Sequence, residues 1–346
     1  MIRFECDYAE GAHEKILKLL FETNFEQTPG YGSDEYCDKA REIIKKLCGC
    51  PEADVHFFVG GTQTNATVIA SVLRPYQGVI CAESGHINVH ETGAIEMCGH
   101  KILSLPSKNG KITAAQVKEA YEAHMDDSGR EHMVQPGMVY ISNPTEVGTL
   151  YKKSELESLS KVCKERSLPL YIDGARMGYG IAAEGNDLFI PDMARLCDIF
   201  YIGGTKIGAL FGEALVITNP ALKNDFRYLI KQHGAMLAKG RILGIQFIAL
   251  LEDDTYFEIS KKADLLAMQM RRGFEENGYP MLFDSPTNQQ FPILPDSLIK
   301  KLEEKYTFSF WEKTDETHSA VRFCTSWATK KEAVDALIED IKKLSA

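Results

Sequence analysis

The sequence predicts an α/β protein: a mostly parallel β-sheet covered by helices on both faces, followed by a smaller C-terminal α+β domain. Three observations carry this. Short, almost wholly apolar runs recur along the first two-thirds of the chain, as strands buried on both faces require. Helical patterns of about 10–15 residues separate them, which is the spacing of parallel crossovers. Each run then breaks, at its C-terminal end, into small, polar or charged residues, and in such sheets ligands collect at the carboxyl ends of the strands.

Taken in order, a short N-terminal arm carrying Asp7 leads to a helical pattern from Ala12 to Phe21, with Ile16, Leu17 and Leu20 on one face. The loop Gln27–Gly32 holds no core, so its Tyr31 is either a turn residue or a residue lining a site. Ser33 suits the N-cap of the next helix, with Asp34 and Glu35 in its start and Lys45, Lys46 and Gly49 at its end. A strand at Val55–Val59 breaks into Gly60-Gly61-Thr62-Gln63-Thr64-Asn65 before a helix from Ala66. Strand, small polar turn and helix present backbone N–H groups and a helix dipole to a phosphate. Further strands are expected at Val79–Ala82, Lys101–Leu105, Met138–Ser142, Leu168–Ile172, Asp198–Ile202 and Ala214–Thr218. Helices are expected at Ala114–His124 and at Ser154–Arg166, the latter capped by Ser154. Long helices dominate from Ala221 to Asn277. Short strands (Met281–Phe283, Phe308–Trp311, Val321–Cys324) then alternate with helices (Asp296–Tyr306, Lys330–Leu344). This gives a large domain over residues 1–252, including the arm, and a small one over 253–346.

Composition narrows the class. A net charge of −10, with no basic cluster longer than two residues, argues against a nucleic-acid or anionic-membrane partner. Nine scattered cysteines fit reduced thiols in a cytoplasmic protein better than a disulfide framework. Cys48-Gly-Cys50 lacks a second ligand pair nearby, and His86 with His90, four apart, lacks a third ligand, so no metal is expected. The N-terminus has no signal-peptide pattern, and no apolar run reaches the roughly 18 residues of a membrane span.

The chemistry concentrates at two neighbouring strand ends. One stops at Asp173-Gly174-Ala175-Arg176, the other at Gly203-Gly204-Thr205-Lys206. A lysine that can bond an aldehyde and a carboxylate that can pair with a pyridinium nitrogen are what pyridoxal phosphate needs. Gly60, His86 and Asn143 are expected at the same sheet edge, and a flat imidazole such as His86 can stack on an aromatic cofactor. The plainer readings are a structural Asp173–Arg176 ion pair, a solvated Lys206, a loop histidine at position 86 and an Arg322 on a strand surface.

The motifs together are more specific than any one of them. YGSD (Tyr31–Asp34), GGTQTN (Gly60–Asn65), HINVHETGA (His86–Ala94), IDGAR (Ile172–Arg176), GGTK (Gly203–Lys206) and VRFCTSW (Val321–Trp327) occur in an order that resembles the threonine aldolase and β-eliminating lyase family of fold-type-I pyridoxal-phosphate enzymes. The resemblance runs over nearly the whole chain. It implies Lys206 as the Schiff-base lysine, Asp173 as partner of the ring nitrogen, and His86 stacked on the ring. It further implies Gly61, Thr62 and Thr205 at the phosphate, Arg176 on the cofactor and substrate side, and Arg322 on the substrate carboxylate. Asp7 is implied near the substrate, Tyr31 in a neighbouring subunit's site, and the assembly is implied to be a homodimer or homotetramer with sites at the subunit interface. Two departures stand out. The family's Ser-Asp-Thr appears as Cys6-Asp7-Tyr8, and the family's Thr-His-Asn-Gly appears as Thr145-Glu146-Val147-Gly148, with Glu146 in place of a histidine near the substrate's β-hydroxyl.

The expected reaction is cleavage of the Cα–Cβ bond of a β-hydroxy-α-amino acid, such as L-threonine or L-allo-threonine, to glycine and acetaldehyde. His86, Glu146 or a water held by either is the base. The alternatives are a β-eliminating lyase or aminotransferase-like enzyme with the same cofactor, or a non-catalytic nucleotide- or metal-binding α/β protein.

Overall fold

Seven strands form the central sheet of the computed structural model, which describes residues 1–345: β1 (Asp54–Phe58), β2 (Gln77–Ala82), β3 (Lys101–Leu105), β4 (Gln135–Ser142), β5 (Leu170–Asp173), β6 (Ile199–Gly203) and β7 (Glu213–Ile217). Their spatial order is β1-β7-β6-β5-β4-β2-β3. The run from β3 through β2, β4 and β5 to β6 is parallel, and only β7 is antiparallel to its neighbours β6 and β1. The reason is chain length. Gly204–Gly212 is too short for a parallel crossover, which takes about a dozen residues or more, so the chain turns straight back.

The period of two along each strand divides the core. Val139, Ile141, Leu170, Ile172, Phe200 and Ile202 pack on one face of the sheet. Met138, Tyr140, Tyr171, Ile199 and Tyr201 pack on the other. Three tyrosines from adjacent strands thus form a row, with ring centroids 5.6 Å apart for Tyr140–Tyr171 and 6.4 Å for Tyr171–Tyr201. Asp173, two residues after Tyr171, falls on the same face at the strand end.

A second, antiparallel sheet lies in the C-terminal part: Ile293–Pro295 and Ser309–Lys313 flank His318–Cys324, which also pairs with Gln289–Gln290. Phe4 from the arm joins this part's hydrophobic cluster with Phe274, Phe323 and Leu337. The arm's Ile2–Arg3 pairs in parallel with Tyr306–Thr307. That pairing explains why the helix expected to run from Asp296 to Tyr306 ends at Leu302.

Local chemistry moves several other boundaries. Asp34, not Ser33, caps the helix Glu35–Cys48, its carboxylate accepting the Cys37 N–H at 2.9 Å, and Gly49 closes it in the left-handed conformation. The helix expected from Ser154 starts at Lys153, with the Lys152 N–H held by Glu155 Oε2 at 2.7 Å, so Ser154 lies inside it. Met281–Phe283 makes only an isolated bridge through Met281 and Pro292. The helix after β1 begins at Gly61, not Ala66, so the Gly-Gly-Thr turn is itself the helix N-terminus. No described helix is long and apolar enough to cross a membrane.

Candidate active site

At the carboxyl edge of the sheet lies a chamber of about 280 Å³, lined by Gly61, Thr62, His86, Glu146, Asp173, Arg176, Thr205 and Lys206 among others. It shares Tyr8, His86, Glu146, Arg176 and Lys206 with a neighbouring chamber of about 260 Å³, to which His90, Trp311 and Arg322 contribute. The larger, more open cavity of about 950 Å³ between Pro106–Gln116 and Ser154–Ser158 stands apart, and its Lys111 is spent on Glu155. Nine of the eleven expected site residues therefore line two adjoining chambers.

Asp173 is the most elaborately supported of them. Its Oδ1 accepts from the Tyr201 hydroxyl (2.5 Å) and the Ala175 N–H (3.0 Å), and its Oδ2 from the Tyr140 hydroxyl (2.7 Å) and Asn65 Nδ2 (3.1 Å). Burial alone pushes its pKa up. The charge of His86 and these hydrogen bonds outweigh that and hold the carboxylate below its ordinary range. Tyr171 completes the row by donating to Asn65 Oδ1 at 2.7 Å. A buried anion is thus kept ionised by the charge of His86 together with four neutral donors.

Lys206 follows Gly203-Gly204-Thr205 in the turn out of β6, half-buried, and is in no ion pair among the described residues. Burial and the nearby Arg176 push its pKa down against the pull of Asp7, Asp173 and Glu213. Arg176 itself is spent. Its Nε and a terminal nitrogen bind the two oxygens of Asp7 at 2.7 and 3.0 Å, and Asn288 Nδ2 donates to the same carboxylate at 3.0 Å. Asp7 therefore sits behind Arg176 and lines neither chamber.

His86 donates from Nδ1 to the buried Glu91 at 2.7 Å, and Asn65 Nδ2 donates to the same oxygen at 2.7 Å. This fixes the ring and leaves Nε2 as its free nitrogen. Glu146 is half-buried, with Oε1 accepting from Ser142 Oγ (2.6 Å) and from the His86 N–H (2.8 Å). Burial raises its pKa, and the Ser142 hydroxyl only partly offsets that. Arg322 donates to the Glu5 carbonyl at 3.1 Å and lies over Trp311, while its Nε has no partner.

Tyr31 is not brought to these chambers. It sits in the left-handed region (φ 62°), is 48% exposed, and its ring lies 4.9 Å from Lys231 Nζ beside a separate small cavity with His56 and Arg227.

The chain is similar to known proteins over its whole length. The β-eliminating lyase family model matches residues 9–295. The chain belongs to the β-eliminating lyase family. Within it, the chain is 30% identical to a low-specificity L-threonine aldolase of a Pseudomonas species, over 98% of this chain and 97% of that one. Among solved structures it is similar to a Leishmania major threonine aldolase, at 45% identity over the whole of both chains with a TM-score of 0.97. A Thermus thermophilus aspartate aminotransferase, 14% identical over 99% of this chain and 91% of that one, shares the fold at a TM-score of 0.73.

Enzymes of the β-eliminating lyase family depend on pyridoxal phosphate. The residues present fit that group. Helix Gly61–Val72 has no side-chain cap on its first N–H groups, which leaves them unspent for an anion. A Cβ at Gly61 would come within 3.0 Å of the Tyr201 hydroxyl, so the bare backbone is what lets the turn lie this close to the Asp173 network. At the other end of the chamber stand an ionised carboxylate and an unpaired amine.

Sequence reasoning missed the supports. Glu91 and Asn65 lay inside quoted motifs, but no linear pattern says that they share a buried hydrogen-bond chain. Tyr140, Tyr171 and Tyr201 read as ordinary strand apolars, and Glu213 was passed over because the strand was started at Ala214.

Proposed function

We propose that the chain is a pyridoxal-phosphate-dependent aldolase that cleaves the Cα–Cβ bond of L-threonine or a related β-hydroxy-α-amino acid, giving glycine and an aldehyde. The observation that carries it is the pairing of an unpaired, pKa-depressed Lys206 with an ionised, four-times hydrogen-bonded Asp173 across one chamber. When bound, pyridoxal phosphate supplies an aldehyde for an amine to bond and a ring that takes up the electron pair of the breaking bond.

The residues divide the work. Lys206 offers its amine, which low proton affinity keeps nucleophilic. Asp173 would stabilise a proton on the cofactor's ring nitrogen, because an anion favours the cationic form of its neighbour. His86, held by Glu91, would back the ring, and Gly61, Thr62 and Thr205 would hold the phosphate. Arg322 takes the substrate carboxylate with its planar guanidinium, and Trp311 backs it. Asp7 acts through Arg176, which it keeps in place at the junction of the two chambers. Glu146, or His86, or a water held by either removes the β-hydroxyl proton; burial raises the Glu146 pKa, the direction that makes a carboxylate a better base. Residues 1–252 carry the cofactor in this reading, and residues 253–346 supply Arg322.

Tyr31, projecting away from its own chain's chambers, serves the site of a second copy. The assembly is a homodimer or homotetramer and works in the cytoplasm, a setting that suits nine free thiols.

Incubation with L-threonine tests the reaction. Glycine and acetaldehyde in equal amounts are expected. A keto acid with ammonia means β-elimination, and a requirement for a second keto acid means transamination; either result overturns the aldolase reading.

A further inference from the structure

The cofactor chamber holds a third carboxyl group, Glu213, that the proposed reaction does not use. Because β7 runs antiparallel, its first residue lies at the sheet's functional edge, opposite Gly203 of β6 and Phe58 of β1. Glu213 therefore stands between the turn that carries Lys206 and the Gly60-Gly61-Thr62 turn. Its side chain is 4% exposed, and Oε2 accepts the Gly204 N–H at 3.2 Å. The Thr205 hydroxyl accepts the N–H of Gly212, the residue before Glu213, at 2.9 Å. The turn before Lys206 is thus tied to this carboxyl group and to the residue that precedes it.

The titratable groups that face Glu213 are Lys206 from the turn after β6, Asp173 and Tyr171 from β5, Tyr201 from β6, and Tyr256 from helix Thr255–Glu276. Lys206 is the one cation among them. No ion pair satisfies Glu213 among the described residues.

We propose that Glu213 is a positioning residue for Lys206: its carboxyl group anchors, through Gly204, the turn that carries the lysine, and its charge within the same chamber sets how readily the lysine nitrogen gives up its proton. An ionised Glu213 holds the proton on Nζ, and a neutral Glu213 lets it go to solvent, which leaves the lysine lone pair free for bonding. Burial supports this from both sides, pushing Glu213 up to about 8 while it depresses Lys206. The negative charge of Asp173 raises Glu213 further, and an anion at the Gly61 helix end acts in the same sense.

The inference rests on the assignment of Lys206 above, and its test separates the two. The visible absorption of the holoenzyme is titrated with pH for wild type, Glu213→Gln and Glu213→Asp, with circular dichroism as the check on folding. Ionised Glu213 favours the protonated form of the lysine nitrogen, so its removal lowers the midpoint of the spectral step. The expected fall in Glu213→Gln is about one pH unit or more, a tenfold change in proton affinity. Glu213→Asp, which withdraws the carboxyl by one methylene, falls less and keeps the proposal testable where the glutamine variant does not fold. Folded, yellow variants with the wild-type midpoint overturn the role of Glu213 alone. A wild type that takes up no cofactor overturns the assignment of Lys206 and this inference with it.

Discussion

Asp173 keeps its charge in a buried setting because the charge of His86 lies near and four neutral donors surround its two oxygens. Tyr140→Phe or Tyr201→Phe removes one of these and leaves a well-packed ring behind. Each variant is expected to bind pyridoxal phosphate more weakly by about 10-fold or more, since a hydrogen bond to a charged group contributes about 1.5–3 kcal/mol and about 1.4 kcal/mol is tenfold; equilibrium dialysis measures it. Glu146 is the other residue on which the chemistry turns. Glu146→Gln keeps the shape and the Ser142 and His86 contacts but cannot take a proton. Its kcat on L-threonine is expected to fall by about 10²–10⁴ with KM nearly unchanged, the range for a positioned proton transfer; a wild-type kcat would pass the role to His86. Lys206 and Asp173 were legible in the sequence because a charge at the end of an apolar run is out of place unless it has work. Glu91, Asn65 and the three tyrosines were not, because their meaning lies in contacts such as the Tyr171–Asn65 bond, which spans 106 residues.

At the scale of elements, the helix Gly61–Val72 and the strand β7 place the site. The helix was expected five residues late because Gly60-Gly61-Thr62 reads as a turn, and propensity gives glycine little credit at a helix start. The missing side-chain cap leaves N–H groups that a phosphate can fill. Gly61→Ala is expected to weaken cofactor binding more than it lowers the stability of the cofactor-free chain, since the new Cβ meets Tyr201 at 3.0 Å; dialysis and urea unfolding separate the two effects. The alternation of strands and helices was readable because buried parallel strands are apolar throughout. The reversal at β7 was not, since its apolar residues look like those of a parallel strand and only the short Gly204–Gly212 connection betrays it. A smaller boundary error is equally physical. Asp34→Ala is expected to cost the helix Glu35–Cys48 about 1 kcal/mol and Ser33→Ala little, measured by unfolding midpoints.

Across the whole molecule, three distant stretches meet behind the chambers, where the arm's Asp7 binds Arg176 of the sheet edge and Asn288 of the C-terminal part. The same scale sets the pH response. The folded pKa of Glu213 lies above its unfolded value of about 4.3, so its contribution to stability is full below that value and is lost as pH rises through about 8. In the cofactor-free protein, Glu213→Gln is therefore expected to gain stability over wild type from about pH 5 to about pH 8 and to hold that gain above it, as urea midpoints across this window will report. Tyr31 bears on assembly. Under the proposal that its exposed, left-handed position gives it to another copy, Tyr31→Ala lowers activity, and mixing it with the inactive Lys206→Ala is expected to raise activity above the sum of the two by forming one intact site in each hybrid. The central claim is that Lys206 carries the cofactor, and reduction of the yellow protein with borohydride followed by peptide mapping tests it most directly. The account expects the pyridoxyl label on Lys206, in the peptide that follows Gly203-Gly204-Thr205; a label on any other lysine, or none, contradicts it.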